Sequence, residues 1–386
     1  MDSSTPPSLR PSPGLRPAFA GAAATFSGIG LSRFAYVPLF PAMVSADWIT
    51  GPEGAFLGAL NLAGYLGGVV GGRGLGRRLG TPAALDLGMA LAVLGFAACA
   101  VNLGSYWLAG CRLVSGVAGG ILMGLAGPAV QGAVDSHLRG LAGGVVVSGV
   151  AIGIITASLA VPAVLPLGLS ATWLVLSAIV AVLWLVVRPA WPRTPITAPT
   201  GTPARSAVLE ISYGISGAGL VPHMVYFADL AVRGNGHSVG FGSVLWLVFG
   251  AGALTGTLVG GRSADRLGAL LALRLWFAAQ VVALTLSLFG HPVMLLLSGF
   301  AGGFSAVGLA AIALARAREL AGAAAGAVWV RATAAFAVAQ AGAGFALAAL
   351  FGQTGSHLYV FVAGLALSVA ALLISFINAD RAAAEA

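Results

Sequence analysis

Arg33 stands in the middle of Thr25 to Pro41, TFSGIGLSRFAYVPLFP, a stretch that is otherwise apolar or weakly polar. At a helical rise of 1.5 Å per residue it lies roughly 18 Å from Ser45 and about 25 Å from Arg16. That is too deep for the side chain to snorkel to either surface of a bilayer. An arginine at the centre of a membrane helix costs at least about 2.5 to 3.5 kcal/mol, so it is kept where it faces protein or a wet cavity, and it marks a ligand path. Its planar fork of donors matches carboxylate, phosphate or sulfate. The alternative reading is a structural tie to backbone carbonyls where a helix breaks.

Other polar residues fall well inside apolar stretches. Tyr36 follows Arg33 by three residues and Tyr226 follows His223 by three, so each pair can share a helix face. Asn61, Arg112 and Gln340 complete the substrate-binding candidates. Each is equally a candidate for helix-helix hydrogen bonding. Histidine titrates near neutrality, which makes His223, with Asp229, a proton-coupling candidate; a packing histidine is the competing reading. The acids Asp86, Glu210 and Asp229 lie near predicted span ends, and none matches Arg33 in depth. A cavity with an unmatched arginine is positive. The expected ligand is therefore a small organic anion, in the first place a carboxylate, with a proton or a counter-anion as partner. Arg274, near its span end, is read as snorkelling, and Arg331, about two turns in, equally as snorkelling or gate pairing and as ligand contact.

These residues must be positioned by helices, because the chain is built for lipid. Of 386 residues 59% are hydrophobic and 8% charged, whereas soluble domains carry about a quarter charged residues. Apolar stretches of helix-spanning length follow the first one at roughly 53–72, 82–102, 105–130, 142–165, 169–188, 206–232, 239–260, 268–289, 291–314, 323–351 and 354–377, giving twelve spans. One set of connecting segments holds Arg10, Arg16, Arg73, Arg77, Arg78, Arg139, Arg188, Arg193, Arg205, Arg262, Arg266, Arg316, Arg318 and Arg381; the other holds only Arg233. The positive-inside rule then places both termini in the cytoplasm, in what is expected to be a bacterial inner membrane. The +8 net charge is thus a topology signal and calls for no nucleic-acid partner. The expected organisation is a disordered cytoplasmic tail (1–16), a first six-helix half (17–188), a Pro-rich cytoplasmic linker (189–205), a second half (206–378) and a short tail (379–386).

Several chemistries are excluded or disfavoured. All 19 basic residues are arginines, so no Walker A loop exists. Cys99 and Cys111 lack metal-ligand spacing and read as packing residues. Gly236-His237-Ser238-Val239-Gly240 matches a hydrolase nucleophile elbow, but a membrane helix precedes it where a strand is required. No catalytic residue, metal site or cofactor is expected.

The two halves repeat each other. Val70-Gly71-Gly72-Arg73 recurs as Val259-Gly260-Gly261-Arg262 at an offset of 189, and the same offset lays Gly28-Ile29-Gly30-Leu31 on Gly217-Ala218-Gly219-Leu220. Gly64, Gly68 and Gly72, and likewise Gly252, Gly256 and Gly260, recur every four residues and permit close helix contacts, fixed or sliding. Parallel repeats of this kind build transporter folds.

Gly261-Arg262-Ser263-Ala264-Asp265-Arg266-Leu267-Gly268 resembles the loop motif G-x-x-x-D-R-x-G of the major facilitator superfamily, and Arg73 to Gly80 is its counterpart without an acid. Arg112-Leu113-Val114-Ser115-Gly116 resembles the family's fourth-helix R-x-x-x-G motif. The GLSRFAYVPLFPAM segment and Thr333-Ala334-Ala335-Phe336 with Gln340 resemble its YbfB/YjiJ-like branch. The resemblance implies an all-α integral membrane fold of twelve helices in two pseudo-symmetric halves, a secondary transporter working by alternating access. It also implies a gating role for Gly261, Asp265, Arg266, Gly268, Arg73 and Arg77. The rival functional readings are a proton-coupled exporter of drugs or amphipathic metabolites and a non-transport membrane sensor or assembly protein.

Overall fold

The computed structural model describes residues 14–194 and 206–377. Most of the tail over 1–16 and of the linker over 189–205, and all of the tail over 379–386, lie outside the described residues. Among the described residues eleven helical segments are long and apolar enough to cross a membrane. The first span makes the twelfth, and it is interrupted: α1 (Arg16–Thr25) runs through a wide π-type turn, Phe26–Leu31, into α2 (Tyr36–Ser45). The first half continues with α3 (Gly51–Leu79), α4 (Thr81–Cys99), α5 (Ser105–Ala133), α6 (Arg139–Val164) and α7 (Leu169–Val187). The second half opens with another interrupted span, α8 (Ala207–Gly219) and α9 (Phe227–Asp229) joined and followed by π-type turns, Pro222–Tyr226 and Leu230–Gly234. It ends with α10 (Val239–Leu267), α11 (Ala269–Ser287), α12 (Pro292–Ala321), α13 (Ala325–Thr354) and α14 (His357–Ile374).

Local sequence explains the long helices. Thr50 and Glu53 cap the start of α3 reciprocally, and the Ser238 hydroxyl accepts from the Phe241 N–H at 3.1 Å to start α10. Ser238 of the elbow-like motif is therefore a helix cap. Both helices stop at a glycine in the left-handed region, Gly80 at φ +83° and Gly268 at φ +81°, and the next helix begins one residue later. This corrects the placement of the loop motif. Gly261 to Leu267 and Arg73 to Leu79 are the last turns of α10 and α3, and only the glycines turn.

The glycine stripes lie within each half. A Cβ on Gly64 would sit 2.2 Å from the Leu113 carbonyl oxygen, and one on Gly256 would sit 2.0 Å from that of Phe304. They let α3 approach α5, and α10 approach α12, closely within each half.

Glycine and proline also account for the broken first span. Gly30 lies so close to Gly153 of α6 that a Cβ would be 2.7 Å from its Cα. Ser32 N–H reaches five residues back to the Ser27 carbonyl at 3.0 Å, and Phe34 N–H reaches Ile29 at 3.3 Å. Pro38 has no N–H to continue the ladder. The break falls at Ser32 to Ala35, so Arg33 projects from irregular backbone at mid-membrane depth, which is tolerated only where protein surrounds it.

The helix ends bearing Arg16, Arg73, Arg139, Arg188, Arg262 and Arg316 form one end of the bundle, here the arginine-rich end. The halves meet through α13 on α3, α10 on α6 and α2 on α9. Cross-half contacts are made at the level of Arg33 or toward the opposite, arginine-poor end: Phe34 with Trp246 at 5.6 Å, Phe40 with Tyr226 at 6.5 Å, Val225 on Gly58, and Leu62 on Gly344. Toward the arginine-rich end no hydrogen bond or ion pair among the described residues joins the halves.

Candidate functional site

Arg33 sits at this junction and touches both halves. Its Nη1 donates to the Gln340 side-chain oxygen of α13 at 3.3 Å, and its guanidinium lies over the Tyr65 ring of α3, 4.2 Å from the centroid. Gln340 is anchored in turn by its amide on the Met224 sulfur at 3.1 Å. Nε and Nη2 of Arg33 are buried without a hydrogen-bond partner among the described residues. These two donors form one edge of the guanidinium, the edge that takes both oxygens of a carboxylate. With the residue 8% exposed, the edge is enclosed.

Arg112, Asn61 and Tyr36 form a second layer directly behind, toward the arginine-poor end. The Ser32 carbonyl, released from the helical ladder by the break, accepts from Arg112 Nη1 at 2.8 Å and from Asn61 Nδ2 at 3.5 Å. Asn61 also donates to the Arg112 carbonyl at 3.2 Å. The Arg112 guanidinium covers the Tyr36 ring at 4.5 Å, and the Tyr36 hydroxyl donates to the Gly54 carbonyl at 2.8 Å. Arg112 Nε has no partner, but the residue is 2% exposed and sealed by this layer. The layer fixes the backbone on which Arg33 stands.

His223 lies apart from Arg33. It is fully buried among Phe227, Phe249 and Phe361. Ser298 spends its single hydroxyl proton on the Ala283 carbonyl at 2.8 Å, so it must accept from His223 Nε2–H across their 2.9 Å contact. That assigns the proton to Nε2, leaving Nδ1 without a partner. Tyr226 packs between Phe40 and Phe351, and its buried hydroxyl has no partner among the described residues.

Asp229 belongs to a different group. Its side chain is fully buried and takes Arg233 Nε on one oxygen and Nη2 on the other. His357 Nε2 adds a contact of 2.7 Å. The Arg233 guanidinium then crosses to the first half, 5.4 Å from the Phe40 ring and against Gly51, where a Cβ would stand 2.6 Å from Nη1. The structure thus brings together Arg33 and Gln340, and separately Tyr36, Asn61 and Arg112. It leaves His223, Tyr226 and Asp229 in other surroundings.

At the arginine-rich end Asp265 is exposed, with no ion pair or side-chain hydrogen bond among the described residues. Arg266 and Arg77 are exposed and Arg73 is half-buried. Glu319 of α12 caps the start of α11 by accepting from the Ala269 N–H at 2.6 Å. Arg331 pairs with Glu210 at 2.8 Å, within the second half. Arg274 donates to the Ser375 carbonyl and covers the Phe376 ring. Cys99 and Cys111 are buried free thiols.

Sequence reasoning missed Tyr65, Met224, the Ser32 carbonyl and His357. Tyr65 follows Asn61 by one helical turn, which is a usable signal. The pairing of His357 with Asp229 spans 128 residues of chain and leaves no local trace.

The fold is similar to that of a solved bacterial homolog to the human lysosomal transporter Spinster, in an inward-facing and unoccupied conformation. The TM-score is 0.69 at 13% identity, over 97% of this chain and 98% of that one. At such identity the likeness is one of fold. No curated protein sequence matches the chain. A family model described as "Uncharacterised MFS-type transporter YbfB" matches residues 25–375, and the chain therefore belongs to this family of integral membrane transporters of the major facilitator superfamily.

Proposed function

We propose that this transporter carries a small organic anion, in the first place a carboxylate, by secondary active transport, and that the anion is held on Arg33. The observation that carries the reading is the unpartnered Nε and Nη2 edge, buried at the junction of the halves. A buried charge without a counter-charge is costly, and an arriving carboxylate relieves the cost while adding two charge-assisted hydrogen bonds. Because Gln340 of the second half grips the same guanidinium, the anion is sensed by both halves. It acts on their equilibrium only through the difference in its binding to the two arrangements. In this reading Tyr65 and Gln340 hold the guanidinium in place, while Arg112, Asn61 and Tyr36 fix its backbone.

The arginine distribution supports cytoplasmic termini in a bacterial inner membrane, so that the closed, arginine-poor end faces outward. Asp229 with His357 is then the proton-coupling candidate, and exchange against a second anion is the route that needs neither. His223, caged and engaged with Ser298, is better suited to packing. Asp265, Arg266, Arg73 and Arg77, with Gly261 inside the last turns of α10 and the turn glycine Gly268 beside them, lie where the halves would close during the opposite half-cycle.

The test is uptake of labelled small carboxylates and phosphate esters into proteoliposomes carrying the protein or its Arg33→Ala variant. Uptake by the parent that drops about 100-fold in a correctly inserted variant supports the reading. Transport of hydrophobic cations or neutral compounds, or anion transport unaffected by the loss of Arg33, overturns it in favour of a drug or metabolite exporter.

A further inference from the structure

The face of α13 that leads to Arg33 carries more than Gln340. Trp329, Thr333, Phe336 and Gln340 are spaced by four, three and four residues, which places them on a single stripe of the helix. Gln340 points at Arg33, so the stripe runs from the guanidinium toward the arginine-rich end, where no polar contact joins the halves among the described residues. In the opposite direction the way is closed by Tyr36, Phe40 and Tyr226. A ligand whose carboxylate lies on Arg33 therefore extends its body along this stripe.

The stripe is flat and aromatic. Phe336, one turn from Gln340, stacks on Tyr213 of α8 with centroids 4.6 Å apart and planes at 26°, and Trp329 lies 6.2 Å from the same Tyr213 ring. Gly217 backs Phe336 so closely that a Cβ would stand 2.6 Å from its ring, which pins the ring's position. Phe336 nonetheless stays half-buried. Between Trp329 and Phe336 in the spacing of the stripe, the Thr333 hydroxyl is buried without a partner among the described residues. The next charged groups on the way out, Arg331 and Glu210, already pair with each other. One cation, a wall of stacked rings and one spare hydroxyl complement a molecule with one negative charge and a planar apolar body. Neither a dianion nor a compact inorganic ion gains anything from the stripe.

Resting on the assignment of the anion to Arg33, we propose that the substrate is an aromatic monocarboxylate, its ring lying on Phe336 and Tyr213 and a polar ring substituent meeting Thr333. Thr333 is seven residues from Gln340, about 10 Å along the helix, which fits a hydroxyl at the far end of a phenylpropenoate.

The test is competition binding to the purified full-length protein in detergent, with labelled cinnamate as probe and 4-hydroxycinnamate, hexanoate, succinate and sulfate as competitors. Cinnamate is expected to bind about tenfold more tightly than hexanoate, as a well-made aromatic contact supplies. Phe336→Leu, which keeps the core filled, should weaken cinnamate about tenfold and hexanoate much less, erasing most of that preference. Thr333→Val should remove any advantage of 4-hydroxycinnamate over cinnamate. Succinate or sulfate binding as tightly as cinnamate, with dependence on Arg33, overturns the aromatic proposal and leaves the anion site standing, as does a Phe336→Leu effect equal for all competitors. Failure of every anion to bind, or binding that survives Arg33→Ala, overturns the anion assignment itself.

Discussion

Arg33 and Arg233 present the same guanidinium edge in two settings. In Arg233 the Nε and Nη2 donors hold the two oxygens of Asp229, four residues earlier on the same span. In Arg33 the same two donors are buried with no partner in the described chain. The spans that carry them occupy equivalent places in the two repeats, yet the offset of 189 sets Pro222 opposite Arg33, so the repeat has kept the broken helix and not the charge. One cation is satisfied from within and its guanidinium serves packing, bridging the halves at Gly51 and Phe40. The other is left for something that the chain does not supply.

The contrast is sharpened most by giving Arg33 a carboxylate of its own. Gln340→Glu places one within reach of the guanidinium and makes Arg33 resemble Arg233. Transport is expected to fall at least about 100-fold while thermal stability in detergent holds or rises, because the new ion pair ends the cost of an unmatched buried charge. Undiminished uptake in this variant, measured in proteoliposomes, would break the comparison.

The converse change makes Arg233 resemble Arg33. Asp229→Asn leaves that guanidinium without its counter-charge, and removal of one partner of a buried pair costs about 3–5 kcal/mol. The Arg233 side chain is 27% exposed, so about 2–4 kcal/mol is the expected loss, read as a lowered midpoint of thermal unfolding. A midpoint within a degree of the parent would show that the pair contributes nothing.

A smaller effect is expected at the contact beneath Arg233. Gly51→Val forces a side chain into the space of the guanidinium, and should open the arginine-poor end at a cost of about 1–3 kcal/mol. Labelling of a cysteine introduced at Val225, at the cross-half seam beside Gly58, should then rise several-fold over the Gly51 parent carrying the same cysteine. Unchanged labelling would show that Arg233 does not hold that end closed.

How much of this was legible depends on whether the signal was local. The spans and the pseudo-repeat are local properties of composition and position, and the structure places them as read. The break at Ser32 was only partly legible: Gly28, Gly30 and Pro38 permit it, but the close approach of Gly153 and the two side chains on the Ser32 carbonyl decide it. The motif from Gly261 to Gly268 reads as a loop because it is polar and glycine-rich. It is helical to Leu267 because a helix continues into water until a residue such as Gly268 takes the left-handed region. Tyr65 was legible only through its place one helical turn after Asn61, a weak signal because an aromatic in an apolar span is ordinarily packing. His357 opens α14 far from Asp229 in sequence, and Thr333 carries no mark beyond its spacing on α13.

The most direct measurement is an experimental structure of the protein determined with saturating 4-iodobenzoate, whose heavy atom locates the ring independently of the carboxylate. The account predicts both carboxylate oxygens about 2.7–2.9 Å from Arg33 Nε and Nη2, with the iodine on the arginine-rich side. A ligand bound elsewhere, or Arg33 Nε and Nη2 found bonded to backbone carbonyls, would contradict it.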